Sequence, residues 1–164
     1  IMSIQAPRIL LSLGIALPLA LSSVPSLAQT HDHGHAASAA LTLDHGRKWD
    51  TDAPLRQAMG NLARAVNQNL PAAHAGTLTD AQYDALGAQA NREFAYIVEN
   101  CKLTPQADAV LHVILGDMVN GAEAIGGKQA DQPRSGGVVR LAQALNRYGE
   151  YFNHPGWQDV QLPH

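Results

Sequence analysis

Three histidines alternate near the amino terminus: His31, His33 and His35, with Asp32 and Gly34 between them. Imidazole nitrogens suit copper, nickel and zinc, and a short peptide can gather two or three of them around one ion. Asp32 is an optional fourth ligand. If the chain is processed after Ala28, the new terminus reads Gln29-Thr30-His31. A free amine, two backbone nitrogens and an imidazole in third position then form a square-planar set suited to Cu(II) or Ni(II). Cyclisation of Gln29 to pyroglutamate would remove the amine. The plainer alternative is a polar spacer whose histidines bind nothing.

A second set lies on the apolar stripes. Met59 is seven residues from Asp52, and His112 is seven from Pro105. At ~1.5 Å per residue, both would stand at one height in a bundle. A methionine and a histidine at one level could hold haem b or Cu(I), with Met118 as a further thioether. Against this, a methionine on an apolar stripe is usually core filler, and a flank histidine is usually bonded to a neighbour.

Cys101 is the one cysteine, so no internal disulfide can form. Its place at the end of an apolar stripe predicts a structural thiol. Scattered carboxylates, such as Asp80, Asp84, Glu93, Asp108 and Asp117, raise the question of a di-iron bundle. That chemistry needs Glu-x-x-His on two helices, and the chain has none. No nucleophile–histidine–acid set or phosphate loop is visible, so nothing argues for an enzyme. A net charge of −3 without a Lys/Arg cluster argues against nucleic acid.

Residues 1–28 read as a secretory signal. Arg8 provides the positive region, Ile9 to Leu21 the apolar core, and Ser26-Leu27-Ala28 the cleavage site. The apolar run is short for a membrane span and contains Pro18. This predicts a periplasmic product with no membrane span after cleavage. Residues 29–48 then form a flexible arm, residues 49–157 the folded domain, and residues 158–164 a tail that frays at Leu162-Pro163-His164.

The elements that must position these residues are helices. Hydrophobic residues make up 46% of the chain but aromatics only 5%, and alanine and leucine dominate. The most apolar segment, Pro105 to Ile125, carries Leu111, Ile114, Leu115, Met118, Ala122 and Ile125 at helical spacing. Thr104 caps it and Gly126-Gly127 ends it. The same spacing predicts helices over residues 53–70, capped by Asp52 or Thr51 and stopped or kinked by Pro71, with a further turn possible before Gly76. It predicts others over 79–101, opened by a Thr79/Gln82 capping box, and over 138–152. Gly126 to Gly137 reads as a loop. Trp49 and Trp157 are expected to plug the bundle ends. No strand pattern competes. The expectation is an all-α, antiparallel up-down-up-down four-helix bundle.

With these elements, the chain resembles periplasmic four-helix proteins of the cytochrome b562 and cytochrome c′ type. The segment Pro54-Leu55-Arg56-Gln57-Ala58-Met59 is similar to the methionine-bearing first helix of the cytochrome b562 type. His112, early in the third helix, is similar too. The resemblance implies haem b held by Met59. That family takes its second ligand from a histidine late in the fourth helix, where this chain reads Asn146-Arg147-Tyr148-Gly149. There is no Cys-x-x-Cys-His, which excludes covalent haem by that motif. The chain also resembles exported proteobacterial bundles with a His-rich arm and a Cys-Lys-Leu-x-Pro turn, here Cys101 to Pro105.

Three functional expectations follow. The first is a metal-binding accessory protein that captures copper, or nickel or zinc, through Gln29, His31, Asp32, His33 and His35. The second is a b-type haem electron carrier using Met59 and His112. The third is a structural or sensor bundle that binds another periplasmic protein.

Overall fold

The computed structural model describes residues 40–162. The predicted signal and the arm residues Gln29, His31, Asp32, His33 and His35 lie outside the described residues. Among those described, four helices and one two-residue strand pair make the chain all-α in class.

Helix α1 spans Ala53–His74. Asp52 caps it by accepting from the Leu55 N–H at 2.9 Å. The helix does not stop at Leu70 but runs through Pro71. Proline removes one ladder bond, yet Leu70 and Ala73 on either side of it are buried, and their burial holds the extra turn. Gly76, at φ +68°, then closes the helix. The N–H groups of Gly76 and Thr77 reach back to the carbonyls of Ala73 and Ala72.

Helix α2 spans Asp80–Asn100 and opens with the reciprocal Thr79/Gln82 capping box. Helix α3 spans Pro105–Ile125 and is capped by Thr104. Gly127, at φ +70°, ends it with the same paired closure seen at Gly76.

Helix α4 spans Arg134–Tyr151, four residues earlier at its start than the expected Val138. The supposed loop glycines Gly136 and Gly137 are therefore helical. The reason is tertiary. A Cβ on Gly137 would lie 2.6 Å from the Ile125 nitrogen, and one on Gly121 would lie 3.0 Å from the Leu141 nitrogen. The missing side chains let the α3 and α4 backbones meet, and this is the most extensive helix contact. Elsewhere α1 packs on α2 and α4, and α2 on α3.

Short strands break the all-helical expectation at one end. β1 (Trp49–Asp50) and β2 (Phe152–Asn153) pair in parallel, with Trp49 opposite Phe152. Phe152 thus leaves the helix to which its spacing assigned it. The predicted tail is docked as far as described. Val160 is buried, and its N–H and C=O are both bonded to the Asn146 amide, at 2.7 and 3.0 Å.

The core is built from Leu55, Met59 and Leu62 of α1, Leu86 and Ile97 of α2, Ile114 and Met118 of α3, and Leu141 and Leu145 of α4. Large exposed apolar side chains among the described residues are scattered: Leu43, Val98 and Val119. No described helix is long and apolar enough to cross a membrane.

Candidate functional site

Polar chemistry gathers at the end of the molecule where the strand pair lies. Asp52 is its centre. Besides capping α1, its carboxylate accepts the Lys102 N–H at 2.6 Å and lies 3.5 Å from the Cys101 sulfur. One side chain so joins the start of α1 to the residues that follow α2. Burial works to raise the Asp52 pKa. The hydrogen bonds from Lys102, Leu55 and Cys101, with the charge of Arg56, outweigh it and leave the carboxyl below its ordinary value.

The partner thiol shows the reverse. Burial pushes the Cys101 pKa up to about 12, with the Asp52 charge and hydrogen bond adding to it. A hydrogen bond from the Lys102 backbone N–H acts in the opposite sense and is the smallest of these effects. A thiol held protonated is a poor nucleophile and a poor metal ligand.

Arg56 donates to the carbonyl and hydroxyl of Thr51. The Thr51 hydroxyl donates to the Asn153 carbonyl at 2.7 Å, and the Lys48 ammonium to the Gly149 carbonyl at 2.5 Å. These bonds fasten the residues before α1 to those around the end of α4.

Tyr148 is fully buried beneath them. Its ring stacks on Phe152, with centroids 5.3 Å apart, and meets Trp157 edge-on at 4.9 Å. Its hydroxyl lies 3.0 Å from His154 Nδ1. Burial raises the phenol pKa well above its ordinary value. Burial, then the charge of Arg56, lowers that of His154.

Asp44, His45, Asp50 and Asp52 border an open cleft of about 500 Å³, with Trp49 and Lys102. Asp44 is engaged by Arg47 at 3.4 Å, and Asp52 as described. No three His, Cys, Asp or Glu side chains converge as a metal-holding group among the described residues.

The Met59–His112 pair is not brought together. Met59 and Met118 are fully buried in the core. The His112 side chain is 72% exposed. Its Nδ1 lies 2.9 Å from the Asp108 carbonyl and 3.3 Å from its carboxylate. A local bond one helical turn back turns the ring to solvent, whereas Met59 lies in the core.

Spacing alone missed the Tyr148–His154 bond and the Asn146 clamp. Asn153-His154-Pro155-Gly156 announces a stop and a reversal, but not the surface to which the chain returns. Comparison of the chain with protein-family models, curated proteins and solved structures found no match, so none of them ties it to the cytochrome b562 type or to another family.

Proposed function

We propose that the protein is an exported, periplasmic metal-binding accessory protein, whose arm captures copper, or nickel or zinc, on a helical scaffold. The observation that carries this reading is the run His31-Asp32-His33-Gly34-His35 close behind a predicted cleavage site. Imidazole ligands, with the amine of a new terminus at Gln29, suit Cu(II) in a square-planar set. The mechanism is reversible coordination. Binding weakens as the histidines protonate below about pH 6.5.

The scaffold in this reading is an up-down-up-down bundle with alternating helix directions. Gly121 faces Leu141 while Gly137 faces Ile125, which supports opposed α3 and α4. The Asn61–Glu93 bond of 3.2 Å, with the Asp52–Lys102 contact, supports the same for α1 and α2.

The test is a Cu(II) and Ni(II) titration of the exported protein, its terminus identified by mass spectrometry. One equivalent should give a square-planar spectrum that is lost on His31→Ala. Deletion of Gln29 to His35 should abolish tight binding and leave the helical circular dichroism unchanged. Undiminished binding by the deletion variant would sink the proposal.

A further inference from the structure

After α4 the chain turns back on itself at His154-Pro155-Gly156-Trp157. The turn is closed by the Trp157 N–H on the His154 carbonyl at 3.0 Å, with Gly156 at φ +78°. Two side chains seat it. The Trp157 indole lies over Gly149, where an added Cβ would collide with it, and against Tyr148. His154 Nδ1 meets the Tyr148 hydroxyl. We assign the phenol as the donor and the neutral imidazole, in its Nε2–H tautomer, as the acceptor.

We propose that the His154–Trp157 turn is a proton-operated latch: protonation of His154 ends its acceptance of the Tyr148 hydroxyl proton and lifts the Trp157 indole off Tyr148 and Gly149. An imidazolium has no lone pair at Nδ1, so the bond must reverse: Nδ1–H donates to the phenol oxygen, and the Tyr148 hydroxyl proton is left without an acceptor inside a buried site. The charge of Arg56 on α1 opposes the new one, its guanidinium being bonded to Thr51, whose hydroxyl in turn donates to Asn153 next to His154.

Other groups face the turn. Arg64 of α1 lies along its outer side. Lys48, Glu150 and Asp159 share a recess with His154 and Trp157. The two carboxylates and the indole face, 5.0 Å from the imidazole, favour the imidazolium. Asp159 is already engaged by the Trp157 indole N–H at 3.1 Å. Burial and Arg56 prevail, and the neutral ring is the one the closed turn holds. The Asn146 clamp on Val160 carries no titrating group, so the chain beyond stays tethered while the turn opens.

The latch is independent of metal capture, and its test is run with a chelator present. The chain has two tryptophans, so the indole N–H resonances of Trp49 and Trp157 can be followed by NMR in the full chain. On acidification the Trp157 resonance should move with a midpoint below 6.5, the ordinary histidine value. Nuclear Overhauser contacts between Trp157 and Tyr148 should vanish together with it, while Trp49 stays still. His154→Gln should abolish the transition, Arg56→Gln should raise its midpoint, and Asp159→Asn should keep the transition at a lower midpoint. Contacts that survive once His154 is protonated would overturn the latch. So would a transition unchanged in His154→Gln, or Trp49 moving in parallel.

Discussion

At the scale of single residues, burial first and Asp52 second hold the Cys101 thiol protonated. A thiol near a lysine and the end of a helix is a candidate for reactivity, but here the nearer charge is a carboxylate that accepts from it. With a pKa pushed up to about 12, the thiol should react with a neutral-pH disulfide reagent far more slowly than an exposed cysteine, whose pKa is about 8.5. Asp52→Asn removes the charge and should speed the reaction by about tenfold or more, in step with each pKa unit recovered. Stopped-flow thiol titration of the folded protein measures this. Equal rates in the two proteins would show that burial alone controls the sulfur. Cys101 could be placed on its stripe from the sequence. Its partner could not, because Asp52 is 49 residues away along the chain.

At the scale of elements, the α3–α4 contact turns on glycines that look like loop residues in the sequence. Gly137→Ala would push a methyl against the Ile125 nitrogen, the Gly121 carbonyl and the Ala124 side chain. Backbone on both sides cannot yield as a side chain can. The variant should lose about 1–3 kcal/mol, despite the helix propensity that alanine brings. Gly60, in the middle of α1, is the contrast, since nothing lies within 4 Å of an added Cβ. Gly60→Ala should gain about 0.5–1 kcal/mol from propensity alone. Denaturant midpoints at constant slope would check both, and a stabilising Gly137→Ala would contradict the close approach. The capping residues were legible because their partners are local: Thr79 with Gln82, and Asp52 with Leu55. The true start of α4 was not, because only the presence of α3 makes glycine the right residue there.

At the scale of the whole molecule, the shifted groups set a window of stability. His154 and Asp52 have lowered values when folded. Their contributions are present above their ordinary values of 6.5 and 3.8 and are lost as pH falls through the folded ones. Cys101 and Tyr148 have raised values. Theirs are present below 9.0 and 10.0 and are lost as pH rises further. Thermal unfolding should therefore show a plateau in Tm between about pH 6.5 and 9, falling on both sides. His154→Gln should flatten the first step on the acid side only. A Tm that keeps rising as pH drops below 6 would contradict the assignment.

By itself, the sequence determined what depends on neighbours within a turn or two. Four helices, their caps and the buried stripes all follow from spacings of three and four residues. The run His31-Asp32-His33-Gly34-His35 is likewise read from the sequence alone, and its metal role is a proposal. Tertiary structure decided what depends on residues far apart. It set the closure of Trp49 on Phe152, the seat of Trp157 on Gly149, the Asp52–Cys101 pair and the turning of His112 to solvent. Periodicity specifies which face of a helix is buried. It does not specify which residue of another helix will meet that face, because that is fixed only when all the helices share one core.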